Sequence, residues 1–489
     1  MAPLHMTQPK QAARLLAAAA AFALAGGCTV GPDYKRPDAP VPASFKEDGA
    51  WKPATPGDSA TRGPWWRVFG DPVLDGLEGR VASGNFSLQQ AAAAYEEARE
   101  VARIDRAGLL PTVSAVGTAQ RGEPARGTLA SPPGVSSSFG ASLEAAWEPD
   151  FWGKERRTTE AAVAGAQASA ADLALARLST QAALAQDYIE LRILDEKARL
   201  LENAVADYRR TLSITRNKYA VGVAARSDVL TAQTQLDSTR VQAMDVGVQR
   251  AQYEHAIAIL EGVPPSGFSI AVREGTGLSI PDIPPSLPSE LLERRPDIAA
   301  AERAVAEANA NIGVQTAGYF PSLSLSATGG YGGSPLDRLF TAPNRLWSLG
   351  AQVGENLFDA GAQRDLVREA RAARDASVAA YRQSVLTAFQ QVEDNLAGLR
   401  ILGQEVQIQD AAVAEAANAT RITLNEYQAG TVDFTSVTTA QVTELSNRET
   451  ALAILQSRLL SGVALIQALG GGWSTSDLPL YHQVLSAGS

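Results

Sequence analysis

One cysteine, three histidines and three methionines are all that 489 residues hold of the softer ligands. With Cys28 alone, no disulfide can form within the chain. His5, His255 and His482 are too scattered to build a zinc, haem or Cys/His catalytic site of recognisable spacing. Aromatic residues make up 6% of an Ala-rich chain, which points to long helices rather than a bulky globular core. An excess of basic residues is missing too: the net charge of −10 argues against nucleic acid as a partner. No nucleophile elbow, P-loop or metal-ligand spacing occurs. The TGGYGGSP stretch ending at Pro335 has the glycines of a phosphate loop, but no helix pattern follows it. Past the N-terminus there is no run of eighteen apolar residues, which reads as excluding a helical membrane span. A chain of this kind that crosses a membrane must do so as strands closed into a barrel, because lipid cannot satisfy open backbone groups.

What is present is alternation. Between Gly318 and Gly361, Leu323, Leu325, Ala327 and Tyr331 share one parity, with Ser322, Ser324, Ser326 and Thr328 on the other. Trp347, Leu349, Ala351 and Val353 then alternate with Ser348, Gly350, Gln352 and Gly354. Successive strand side chains point to opposite faces, so these runs predict a hairpin with one greasy and one wet face. Each arm is about ten residues, enough for a tilted strand to cross a bilayer. A first copy lies upstream: TVSAVGTA, a Gly/Pro/Ser loop, then a strand in which Phe139, Ala141, Leu143, Ala145 and Trp147 hold one parity.

Each hairpin leads into heptads. Leu184, Leu191, Ala198, Val205, Leu212 and Tyr219 recur every seven residues, with Leu194, Leu201, Tyr208 and Thr215 three along. That period predicts a coiled-coil helix from about Lys154 to Tyr219, roughly 100 Å long. Val378, Val385, Val392, Leu399, Val406 and Val413 repeat the pattern. The punctuation repeats as well: Gly108-Leu109-Leu110-Pro111 returns as Gly318-Tyr319-Phe320-Pro321, and NKYAVG at 217–222 as NEYQAG at 425–430. The chain is therefore read as a duplicated unit. The expected parts are a signal segment at 1–27 and an extended segment at 28–84 clamped by Trp65, Trp66 and Phe69. A first repeat at 85–261, with its hairpin at 111–148, and a Pro-rich linker at 262–289 follow. A second repeat at 290–470, with its hairpin at 321–358, and a tail at 471–489 complete the chain. Arg295, Pro296 and Asp297 read as ordinary helix-start chemistry.

The first 27 residues have a basic start and a short apolar run, and end in Ala25-Gly26-Gly27 before Cys28. This resembles a lipobox, in which the signal is cut before the cysteine and the thiol acylated. Thr29 rather than Asp follows, which in that pattern points to the outer membrane. Each half offers two membrane-length strands, so one chain has four, too few to close a barrel. Two chains would give eight strands and three would give twelve; eight leaves an interior filled by side chains, more leave a channel.

CTVGPDYKRP at 28–37, WWRVFGDPVLDGL at 65–77, LLERRPDIAAAER at 291–303 and GYFPSL at 318–323 together resemble the TolC-like outer-membrane efflux proteins, in the lipoprotein branch related to NodT. The likeness runs essentially end to end. It implies a mostly α, α+β fold: a homotrimer whose 12-stranded transmembrane β-barrel continues into a long periplasmic α-helical barrel with a mixed equatorial region. It implies docking to a periplasmic adaptor and an inner-membrane transporter of the RND type, contact with outer-membrane lipid, and passive exit of small molecules. No cofactor is expected beyond a covalent lipid on Cys28. Gly222 and Gly430 read as left-handed helix caps, and the resemblance makes these turns the tip that the adaptor grips. It also matches Asp228, beside Ser227, and Tyr427 to positions that tie the helix pairs at the closed tip; the residue-level alternative is that Ser227 or Asp228 caps a helix. The charged gate of some relatives is absent, with Val432, Ser436 and Thr439 in its places, so Asp433 and Phe434 are the nearest candidates for constricting residues. A protein-secretion duct or a metal-ion efflux duct of the same fold, and a soluble coiled-coil scaffold, are the competing readings.

Overall fold

The computed structural model describes residues 29–42, 44–47, 63–123, 135–281 and 291–486. The signal segment, Cys28 and residues 282–290 at the end of the Pro-rich stretch lie outside the described residues. In chain order the helices are α1 (Pro72–Gly84), α2 (Phe86–Ala107), α3 (Lys154–Ala220), α4 (Arg226–Leu260), α5 (Leu291–Arg294), α6 (Pro296–Ala317), α7 (Ala362–Ala429), α8 (Phe434–Ala468) and α9 (Tyr481–Leu485). The strands are β1 (Thr112–Gly122), β2 (Ser136–Trp147), β3 (Ser322–Gly333) and β4 (Arg345–Gly354).

The heptads do what their period requires. Helices α3 and α7 are 67 and 68 residues long, about 100 Å at 1.5 Å per residue. Each is joined by a tight turn to a returning helix of 35 residues, α4 or α8. Leu184, Leu191, Leu201 and Leu212 are buried on the α3 seam, as are Val385 and Val392 on α7. The main core forms where α1, α3, α7 and α8 meet, around Leu74, Tyr188, Leu191, Tyr381 and Leu459. By length and composition α8 could cross a membrane, contrary to the expectation from run length. Its apolar residues Leu459, Val463, Leu465 and Ile466 are instead consumed by the core.

The segment 65–84 is not extended. Trp65–Phe69 forms a 3-10 turn and α1 follows, because Asp71 accepts from the backbone N–H groups of Val73 (2.7 Å) and Leu74 (3.2 Å) while Pro72 opens the first turn. Trp65 and Phe69 are buried in the core rather than clamped on the surface. On the same helix Glu78 is fully buried, and neither of its carboxylate oxygens has a partner among the described residues. Burial, then the neighbouring Asp75, pushes its carboxyl up to about 9. Since the folded value lies above the unfolded one, this group's stabilising contribution is complete below about pH 4.5 and lost as pH rises toward 9. We expect the thermal midpoint of the purified protein to fall between pH 5 and pH 8. Glu78→Gln should flatten that dependence and raise the pH 8 midpoint by several degrees in a calorimetric scan.

Residues 29–42 and 44–47 form a strap that touches both repeats. Val30 N donates to Trp152 O (3.0 Å), Asn309 Nδ2 to Pro32 O (2.8 Å) and Tyr34 OH to Glu302. Gly31 lies so close to Gly313 that a Cβ would stand 2.4 Å from its Cα. Farther along, Phe45 packs edge-on against Phe389, Glu393 accepts from the N–H groups of Lys46 and Glu47, and Arg400 pairs with Glu47 at 2.6 Å.

Candidate functional site: the four-stranded sheet and the helical tip

The four strands pair antiparallel in the order β1-β2-β3-β4. Register brings the apolar parities of both hairpins onto one face. Val113 stands opposite Ala145, Ala145 opposite Ala327 and Ala327 opposite Leu349; the next row runs Ala115, Leu143, Gly329, Trp347. The other face carries rows such as Ser114, Glu144, Thr328 and Ser348. Among the described residues no other element covers the greasy face: Leu349 is 76% exposed, and Val113, Leu143, Trp347 and Val353 are exposed as well. Burying each such side chain is worth roughly 1.5–3 kcal/mol, so a face of this kind calls for an apolar surround. Within the described residues, strands β1 and β4 are each paired on one side only. In hydrocarbon each unmet backbone group costs several kcal/mol, so neither edge can stay open there.

The far ends of the long helices form a second cluster. Gly222 (φ 76°) and Gly430 (φ 85°) adopt the left-handed conformation that ends α3 and α7. Val223 N donates to Lys218 O (2.9 Å) and Thr431 N to Glu426 O (3.0 Å), the six-to-one bond of a Gly-capped C-terminus. Around these turns the two helix pairs are joined by a polar ladder. Tyr208 OH donates to Gln441 O (3.3 Å), Gln441 Nε2 to Thr211 Oγ1 (2.9 Å), Tyr427 OH to Thr215 Oγ1 (3.5 Å) and Lys218 Nζ to Tyr427 O. The Lys218 ammonium also lies over the Tyr427 ring, 4.4 Å from its centroid. Positions 208, 211, 215 and 218 share one α3 face at heptad spacing.

Of the expected tip residues, Tyr427 and Phe434 are brought together, with ring centroids 5.6 Å apart. Phe434 is buried against Tyr427, Leu212 and Val437, so its ring braces the helix packing instead of narrowing an opening. Asp228 does not meet Tyr427: its carboxylate accepts from Ala225 N (3.2 Å) and so caps α4. Asp433 caps α8 by accepting from the N–H and hydroxyl of Ser436, both at 2.9 Å, and these bonds hold its carboxyl below the usual range. It is exposed at the tip. Sequence reasoning does not single out Lys218, Thr211 or Gln441. The available signal is the repeat itself, in which Gln441 matches Gln233 and Tyr427 matches Tyr219. Tyr219 is 47% exposed and Tyr427 4%.

Comparison with known proteins gives one consistent answer. The family model described as "Outer membrane efflux protein" matches residues 79–263 and again 287–471. The "Toluene efflux pump outer membrane protein TtgC" of Pseudomonas putida is 31% identical over 462 residues, 94% of this chain and 96% of that protein. The "Probable outer membrane lipoprotein SilC" of Salmonella typhimurium is 28% identical over 94% of this chain and 99% of its own length. Among solved structures, the outer-membrane channel OprN aligns with a TM-score of 0.85 at 29% identity, covering 91% of this chain and 100% of that one.

Proposed function

Since the chain belongs to the outer membrane efflux protein family and is an outer-membrane efflux channel protein, we propose that it is the passive exit duct of a tripartite pump, built from three copies. The observation that carries this reading is the four-stranded sheet with one bare apolar face and two open edges, set at the end of helices about 100 Å long. Three copies supply twelve strands, enough to leave a channel, and the helices extend that channel through the periplasm. A periplasmic adaptor gripping the Gly222 and Gly430 turns and a proton-driven inner-membrane transporter of the RND type complete the path. The duct itself carries out no bond chemistry. Small organic molecules are the substrate class, in keeping with relatives named for toluene and antibiotic efflux. The test is reconstitution of the purified protein in a planar bilayer, together with drug and solvent susceptibility of cells with and without the gene. A water-soluble monomer that does not conduct overturns the reading.

The gate in this reading is the Tyr427–Lys218–Thr215 tie between the helix pairs, with Asp433 exposed beside it. Lipid on Cys28 fits the same picture. Thr29, the next residue, packs against Gly153 where β2 meets α3, so acyl chains would start at the foot of the sheet. At ~0.8 kcal/mol per buried methylene they would anchor the mature N-terminus firmly. Labelled palmitate should enter the wild-type chain and be absent from Cys28→Ser; equal labelling of both removes the assignment.

A further inference from the structure

The two repeats differ in one largely buried charge cluster, and the difference leaves a hole. In the first repeat Asp195 accepts from Arg192 Nη1 (3.0 Å) on its own helix and from Arg250 Nε (2.6 Å) on α4, and Arg250 also pairs with Glu254 at 3.1 Å. The remaining guanidinium N–H groups donate to Ala271 O and Ile270 O, so two cations and two carboxylates satisfy one another. A shift of 430 − 222 = 208 positions relates the two tip glycines and carries this cluster onto α7 and α8. Arg192 becomes Arg400 and Arg250 becomes Arg458, but Asp195 becomes Gly403 and Glu254 becomes Gly462. Both cations are kept and both anions are gone.

The strap answers half of this loss. Glu47 pairs with Arg400 at 2.6 Å, while Glu393 accepts from the N–H groups of Lys46 and Glu47. Arg458 has no such answer. It is partly buried, its Nε is shut off from solvent, and it makes no hydrogen bond or ion pair among the described residues. A guanidinium drawn out of water calls for a counter-charge. There is room for one: a Cβ added at Gly403 would meet no atom within 4 Å. Beside Arg458 a cavity of about 360 Å³ opens between α3, α7 and α8, walled by Leu200, Val406, Val413, Leu452 and Leu455. The other arginines of its lining are already paired, Arg199 with Glu196 and Arg448 with Glu444, and Asp410 on the same lining is exposed and does not pair with Arg458. We propose that this cavity binds an amphipathic monoanion, a carboxylate or sulfonate whose head meets Arg458 where the first repeat has Asp195 and whose apolar tail lies along the Leu and Val wall. Its volume lies within the roughly 300–1,000 Å³ range of small-molecule sites. One copy of the chain supplies every wall, so the site goes beyond the duct reading and does not depend on the number of copies.

The experiment titrates two probes, octanoate and 2-naphthalenesulfonate, into the purified full-length protein in a maltoside detergent and follows the heat of binding. The pair separates an aliphatic from an aromatic tail, and saturable binding of either at one site per chain is the expected result. Acetate, which lacks the tail, and octyltrimethylammonium, which reverses the charge, should bind at least about tenfold more weakly. Arg458→Gln should weaken the probe by about tenfold or more, since a charge-assisted hydrogen bond is lost. Gly403→Asp restores the carboxylate of the first repeat, occupies Arg458 from within the chain and should weaken the probe by a similar factor. Gly403→Ala, which adds bulk without charge in the same open space, should stay within about twofold of wild type. Equal losses in Gly403→Ala and Gly403→Asp would assign the effect to packing and overturn the role of the charge. No saturation in the wild type, or identical saturation in Arg458→Gln, overturns the site. Conductance of the same preparation is read separately: a wild type that conducts without binding leaves the duct reading standing, and one that binds without conducting leaves this site standing.

Discussion

Tyr427→Ala is expected to open the tip, raising single-channel conductance of the reconstituted protein and the fraction of time spent open. The substitution removes the ring beneath the Lys218 ammonium, the hydroxyl bond to Thr215 and the packing on Phe434. A cation–π contact and an aromatic pair together contribute roughly 2 kcal/mol, on the order of thirty-fold in a closed-to-open equilibrium. Lys218→Ala should produce part of the same effect and Tyr427→Phe less than either. Asp228→Ala, by contrast, should cost about 1 kcal/mol of helix capping and leave conductance alone, because its carboxylate serves its own helix start. Tyr219→Ala is the matched control at the exposed repeat position. Intact trimers of Tyr427→Ala that conduct like wild type would show that the tie does not hold the tip closed.

A cation in the middle of the greasy face should be still more damaging. Leu349 lies mid-strand on β4, opposite Ala327 and 76% exposed. Arginine near the bilayer midplane of a barrel costs about 2–4 kcal/mol per site, and a ring of three copies carries that penalty three times. Leu349→Arg is therefore expected to prevent membrane insertion and assembly, to be read on unheated gels as loss of a detergent-resistant oligomer that the wild type should give. Gln352→Arg, three residues away on the other face, should assemble normally and shift ion selectivity toward anions. Equal assembly of the two variants would mean that the apolar face does not meet lipid.

Sheet and long helices were legible in the sequence because both depend on strict periods, two for Leu323–Tyr331 and seven for Leu184–Leu212, and because the duplication presents each period twice. The helix α1 was not legible, since its start is a single Asp-Pro step inside a segment otherwise rich in proline and tryptophan. At the tip, Gly222 and Gly430 could be placed because a left-handed turn demands glycine. The ladder could not: Thr211, Lys218 and Gln441 are common polar residues, and only packing decides which meet. Tyr219 and Tyr427 make the limit plain, since one sequence context gives an exposed ring in one copy and a buried one in the other.

The strap of residues 29–42 and 44–47 has a consequence for how the polypeptide matures. Its partners Glu302, Glu393 and Arg400 lie 268, 347 and 353 positions later in the chain. Val30 can meet Trp152 once the first repeat is present, but Tyr34 and residues 44–47 have nowhere to settle until the second repeat has been delivered. Contacts of such separation form late, after the loop they enclose has been ordered. The far end of the strap thus acts as a final fastening, and a truncated product ending before the second repeat would leave residues 44–47 without Glu393 and Arg400.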